Sequence, residues 1–247
     1  MSADTTSAGT TRTLDLRVRD LDAGYGAATV IQGVSFDVAP GEALAVVGRN
    51  GMGKTTLLKA IMGHAARTAG AVRVGGADVT GRAPHRIVRL GVGYAAQEGN
   101  LFADLTVAEN LQAATMHARR GRTAERREEV LAYFPVLKQR LWQTAGTLSG
   151  GEQKMLVLAL ALLREPRLLI IDEISDGLQP SVVDTVGDVL RAERERRGTS
   201  LLMAEQNVDL SLRVADRVAV LKLGRIVSTV GSTDAGVRDR LMKELAP

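Results

Sequence analysis

Hydrophobic and polar positions alternate over residues 14–18 and 34–38, and a period of two predicts half-exposed antiparallel strands near the start of the chain. Residues 43–47, 168–171, 201–204 and 218–221 are instead apolar almost throughout, the pattern of strands buried on both faces of a parallel sheet. Residues 56–62 and the stretch ending at Leu163 read as helices. Between about residues 106 and 143 the period becomes helical and charges multiply, among them Arg119, Arg120, Arg122, Arg126 and Arg127. With no internal repeat, the pattern predicts an α/β core carrying a helical insert. The arginines are interleaved with Glu125, Glu128 and Glu129, so they are expected to form a solvated helical face rather than a contact surface for nucleic acid or anionic lipid.

Composition narrows the function classes. The 247 residues suit one domain, a core with a subdomain. Lysine and arginine total 32 against 28 acids, too even a balance for a dedicated nucleic-acid binder. Aromatics at 3% leave little for a base-stacking platform. The absence of cysteine removes thiol nucleophiles and thiolate zinc sites. The first residues are rich in Ser, Thr and Gly and lack the apolar stretch of a secretory signal, so residues 1–13 are expected to be a flexible lead-in. The longest apolar run, residues 155–163, stops at Arg164, well short of the roughly 20 residues that span a bilayer. Any membrane role is therefore expected to be peripheral.

Candidate chemistry begins at Gly48, Arg49, Asn50, Gly51, Met52, Gly53, Lys54 and Thr55, which match G-x-x-x-x-G-K-[ST] directly after one expected strand and before the helical run opening at Thr56. Glycines suit phosphate binding because the backbone must turn tightly and bring its N–H groups close to the oxygens. The positive end of the following helix adds to the attraction. Lys54 would reach the β- and γ-phosphates of ATP, and Thr55 would offer a hydroxyl to Mg²⁺. A second strand ends in Asp172 and Glu173, at the edge where an α/β sheet opens its ligand crevice. Beside a phosphate loop, Asp172 can hold the Mg²⁺ shell and Glu173 can orient and deprotonate the attacking water.

Between those elements lie Leu148, Ser149, Gly150, Gly151, Glu152 and Gln153, at the start of a helical run. A hydroxyl donor, accessible amides and a helix dipole make Ser149, Gly150 and Gly151 a second anion site. This string resembles the signature motif of ABC-type ATPases, and the resemblance covers nearly the whole chain from Leu14 onward. It implies a P-loop NTPase core of the ABC ATPase type, with an N-terminal antiparallel β-subdomain and a helical subdomain at about residues 100–165, all within one domain over 14–247. It also implies that the signature motif closes over the nucleotide of a second cassette, in a homodimer or with a paralogous partner, and that the pair works with two membrane permeases at the cytoplasmic face of the membrane. A solute-binding protein would act with them indirectly, and no nucleic acid would be involved.

Further family positions carry over residue by residue. Tyr25 falls where the family places an aromatic against adenine, and Gln97 resembles the glutamine that senses Mg²⁺ and the membrane partner. The chain departs from the pattern at Ile174 for the usual proline, Gln179 for a common aspartate and Gln206 for the switch histidine, which puts a histidine-assisted mechanism in doubt. Glu205, Gln206 and Asn207, together with Tyr133, Phe134 and Pro135 in the insert and with Gly177, Leu178 and Pro180, resemble importer ATPases for branched-chain amino acids, urea and short amides; residues 177–181 lean toward the urea side. The same motor in an exporter or lipid-extraction complex is the alternative. A soluble ABC ATPase of DNA repair or the ribosome, or a degenerate nucleotide-binding partner, fits less well.

Overall fold

The computed structural model describes residues 13–65, 67–97, 101–116 and 123–246. All but Thr13 of the expected lead-in lies outside them, as do Arg119, Arg120 and Arg122. Strand β1 (Leu16–Tyr25) turns back into β2 (Ala28–Val38), and β3 (Ala43–Val47) leads through a glycine-rich loop into α1 (Lys54–Ile61). Strands β4 (Arg67–Val74) and β5 (Ala77–Asp78), helix α2 (Pro84–Val88) and β6 (Val92–Ala95) follow. Four helices come next: α3 (Val107–Thr115), α4 (Thr123–Tyr133), α5 (Pro135–Gln139) and α6 (Gly150–Leu163). The chain then alternates β7 (Leu168–Asp172), α7 (Pro180–Arg197), β8 (Ser200–Glu205), α8 (Val208–Val214) and β9 (Arg217–Lys222), and closes with β10 (Arg225–Gly231) and α9 (Val237–Leu245).

The strands form two sheets, an antiparallel one in the order β2-β1-β4-β5 and a mixed one in the order β10-β9-β3-β8-β7-β6. In the second, β9, β3, β8, β7 and β6 are parallel and only β10 runs against its neighbour. The continuous apolar runs are explained by two cores on opposite faces of this sheet. Ala43, Ala45, Val47, Leu169, Ile171, Leu201 and Met203 point into one, with α3 to α8. Leu44, Val46, Leu168, Ile170, Leu202 and Ala204 point into the other, where α1 lies between the two sheets. Strand β1 shows the expected alternation, with Leu16 and Val18 buried and Arg17 exposed.

One sequence expectation is corrected. Arg127 is half-buried, and Arg126 is only 3% exposed and does not belong to a solvated face. Its Nη1 and Nη2 donate to the two carboxylate oxygens of Glu193 on α7 at 3.0 and 2.9 Å, and Nε and Nη2 donate to the Leu162 carbonyl at 3.1 and 2.8 Å. That carbonyl belongs to the last turn of α6, where helix C=O groups lack partners of their own. Arg197 adds ion pairs to Glu129 and Glu165 at the periphery. The fork shape of guanidinium explains why an arginine stands here, since it can meet a carboxylate and a carbonyl at once.

Truncation at this point takes both Arg126 hydrogen bonds from the buried Glu193 carboxylate and leaves it only the longer Arg197 Nε contact at 3.7 Å among its ion pairs. Arg126→Ala should cost about 3–5 kcal/mol of stability, while Arg126→Met combined with Glu193→Met should recover most of the loss. Urea unfolding checks both, and a loss under about 1 kcal/mol for Arg126→Ala would contradict the assignment.

Candidate functional site

Three neighbouring parallel strands, β3, β8 and β7, end at one edge of the mixed sheet, where such folds open their ligand crevice. Register aligns Val47 with Glu205 and Asp172 with Ala204, so the phosphate loop, the carboxylates Asp172 and Glu173, and Gln206 leave the sheet side by side. The loop is held close to its surroundings. Gly48 N–H donates to the Glu205 carbonyl at 3.3 Å, and a Cβ on Gly48 would sit 2.7 Å from the backbone oxygen of Leu221. Gly53 takes φ 103, and a Cβ there would meet Ile31 Cδ1 of β2 at 2.8 Å. Only glycine satisfies both constraints. Helix α1 then starts with no acid in its first turn, which leaves its positive end available to an anion.

Lys54 is 3% exposed, and its ammonium has three partners: Gly48 O at 2.6 Å, Arg49 O at 3.0 Å and Glu173 Oε1 at 2.8 Å. These match the three donors of the group. The second Glu173 oxygen accepts from Gln97 Nε2 at 3.2 Å. Glu173 adopts φ 48, a left-handed backbone that costs a non-glycine residue about 1–3 kcal/mol, and its N–H donates to Ala204 O at 2.8 Å. Asp172 accepts from Thr55 Oγ1 at 3.1 Å and from the Tyr94 hydroxyl at 3.4 Å. Burial pushes the Asp172 carboxyl above its ordinary range, the Thr55 bond opposes this, and the charge of Glu173 works with it. Burial also raises the Tyr94 phenol, with the Asp172 charge adding to the effect.

Hard oxygens from Thr55 and Asp172 standing side by side fit Mg²⁺, which takes one or two protein ligands beside substrate phosphates rather than a full protein cage. No cluster of three or more His, Cys, Asp or Glu able to hold a metal occurs among the described residues. Gln97 reaches Glu173 rather than this pair. Asn50 and Gly51 lie on the exposed rim of the loop, whereas Thr56 is buried on α1. Gln206 is exposed, in a cleft lined by Glu173, Ser175, Asp176, Gly177, Glu205 and Asn207.

The remaining sequence candidates stand elsewhere. Tyr25 is 44% exposed at the β1–β2 turn. Ser149 caps α6 in a reciprocal box: its Oγ accepts from Glu152 N–H at 3.3 Å while Glu152 Oε2 accepts from Ser149 N–H at 2.9 Å. Arg140 Nε pairs with the other Glu152 oxygen at 2.9 Å. The Cβ position of Gly151 lies 3.5 Å from Leu178, so this helix end looks onto the loop after Glu173 and not onto the phosphate loop. Sequence reasoning did not single out Tyr94, Lys154 or Glu205 as site residues. Lys154, in the next turn of α6, donates to the Glu173 carbonyl at 3.3 Å and to that of Asp176. Only Glu205 carried a signal, as the neighbour of Gln206.

A phosphate loop at the end of β3, with an acid pair at the end of β7, defines a P-loop nucleotide hydrolase. Residues 31–176 match the family described as ABC transporter, and the chain belongs to that family as an ATP-hydrolysing cassette. It is 37% identical over 211 residues to a probable branched-chain amino acid transport ATP-binding protein, LivF, of Archaeoglobus fulgidus, covering 85% of this chain and 89% of that one. It is 36% identical over 203 residues to the high-affinity branched-chain amino acid transport ATP-binding protein BraG of Pseudomonas aeruginosa, covering 82% and 87%. Among solved structures, an ATP binding subunit of an ABC transporter superposes with a TM-score of 0.79 at 29% identity, over 93% of this chain and 98% of that one.

Proposed function

We propose that this chain is the ATPase of an importer for branched-chain amino acids, acting as one of two cassettes beneath two permeases at the cytoplasmic face of the membrane. The observation that carries the reading is the convergence of Lys54, Thr55, Asp172 and Glu173 in one site. The two branched-chain amino acid transport relatives support the solute class over urea and short amides. No helix among the described residues is long and apolar enough to cross a membrane, in keeping with a peripheral subunit.

In this reading Lys54 and the loop amides hold the β- and γ-phosphates, with Tyr25 against the adenine. Mg²⁺, held by Thr55 and Asp172, would neutralise charge on the phosphate oxygens. Glu173 takes the proton of the attacking water. Gln206 donates its amide to the γ-phosphate and cannot carry a proton, which leaves Glu173 as the only general base. Ser149, Gly150 and Gly151 serve the nucleotide of the second cassette, a reading supported by the Gly151 Cβ position facing Leu178 and Val182. The helical subdomain at residues 100–165 and Gln97 pass the movement to the permeases, within a single domain over 14–247.

Glu173→Gln should keep the geometry and lose most turnover, because the base alone is removed. In cells deleted for the gene, the wild-type chain should restore uptake of labelled leucine and Glu173→Gln should not. Near-normal phosphate release by the variant would remove Glu173 from its role; leucine uptake indifferent to the deletion would remove the solute assignment. Tyr25→Ala should lower ATP affinity by about 1–3 kcal/mol, as lost base stacking does elsewhere, while Tyr25→Trp is tolerated. Equal ATP affinity in a folded Tyr25→Ala, measured by calorimetry, would make the tyrosine a packing residue.

A further inference from the structure

Gln206 is exposed, yet Glu205 beside it is 1% exposed at the end of β8. Both oxygens of the Glu205 carboxylate are held by the loop after Glu173. Ser175 Oγ donates to Oε2 at 2.6 Å and Ser175 N–H to Oε1 at 3.2 Å. Ser175 is itself buried, two residues after Glu173, where the chain makes a tight loop: Asp176 N–H donates to Glu173 O at 3.4 Å and Leu178 N–H to Ser175 O at 3.2 Å. Through its own carbonyl Glu205 also receives Gly48 N–H, the first amide of the phosphate loop. One residue thus meets all three segments that surround the crevice.

A third acid here, close to Asp172 and Glu173, is electrostatically unfavourable, and burial and the Glu173 charge both disfavour its ionised form. Ser175 compensates the carboxylate there: acceptor-only when ionised, Glu205 takes the Ser175 hydroxyl on one oxygen and the Ser175 N–H on the other. An amide of the same shape would keep the N–H bond on its oxygen and donate its NH₂ to the hydroxyl, so the tie is broken by removing the side chain and not by removing its charge.

We propose that Glu205 is a positioning residue for ATP hydrolysis, which ties the loop opening at Ser175 to the turn at Gln206 and so fixes Glu173 and Gln206 relative to one another. The inference rests on the reading of Glu173 as base and Gln206 as γ-phosphate donor. Neither Glu205 nor Ser175 bonds to Lys54 or Thr55 in the contacts that define the phosphate cradle, so the tie acts on turnover and leaves nucleotide binding intact. Small displacements of catalytic groups are costly, and losses on the order of ten-fold or more follow from them.

The test measures Mg²⁺-dependent ATP turnover and ATP affinity in the full chain for Glu205→Ala, Ser175→Ala, their combination and Ser175→Thr. Each of the first two should lower kcat on the order of ten-fold with ATP affinity within about two-fold of wild type. The double variant should be no worse than the more damaged single, since both changes break one tie. Ser175→Thr, which keeps the hydroxyl, should restore most of the rate. Full turnover in Ser175→Ala, additive losses, or a fall in kcat matched by a fall in affinity would overturn the inference. Glu173→Gln measured alongside separates the two levels. If it is inactive while Ser175→Ala is fully active, only the positioning role fails; if it turns over normally, the assignment of the base fails and the tie loses its purpose with it.

Discussion

A lysine ammonium buried among backbone and carboxylates is the constraint on which the rest of this site depends. Removing such a charge from water is expensive unless it is fully paired, and Lys54 obtains its partners from two directions. Two carbonyls of its own loop bend the backbone around the side chain, which is why the loop must be rich in glycine. The third partner, Glu173, comes from β7, although β8 stands between that strand and β3. The charge therefore pins the ends of two strands that share no hydrogen bonds, and it does so against the strained backbone of Glu173. Phosphate oxygens would offer Lys54 the same compensation that Glu173 does, so in the proposed mechanism ATP and Glu173 compete for one cation.

A second set of contacts joins the helices to this edge. Helix α6 is apolar on most of its surface and packs against α3, α4, α5 and β6, but its two ends are polar and engaged. At the C-terminal end Arg126 takes the Leu162 carbonyl and joins it to Glu193 of α7. Near the N-terminal end Lys154 reaches the carbonyls of Glu173 and Asp176. The helix that opens with Ser149 is thus bonded at one end to the segment carrying Glu173 and at the other to the helix which that segment feeds. On the opposite side of the same loop, Glu205 holds Ser175. Residues 175–179 lie between a lysine of α6 and a carboxylate of β8, and any shift of α6 must act on them.

Most of the mixed sheet was legible in the sequence, because β3, β7, β8 and β9 are buried on both faces and read as unbroken apolar runs. Strand β10 escaped notice for the opposite reason: it is an edge strand whose residues alternate between exposed and half-buried positions, and β4 begins with polar residues that mask its pairing with β1. In the site, Lys54, Thr55, Asp172 and Glu173 were legible because phosphate chemistry fixes residue type and spacing together. Arg126 was not, since acids on the same helix made it look solvated while its partner lay 67 residues away. Glu205 was hidden likewise by a partner 30 residues distant and by a neighbour, Gln206, that matched a known position.

The central claim, that Glu173 and a phosphate compete for the Lys54 charge, is tested most directly with ADP, which offers the lysine its β-phosphate and cannot be hydrolysed at a γ-phosphate. Calorimetric titration of ADP into the wild-type chain and into Glu173→Gln compares the two with the competing charge present and removed. The account predicts severalfold tighter ADP binding by Glu173→Gln, because the ammonium no longer has to leave a carboxylate. Equal or weaker binding by the variant would contradict it.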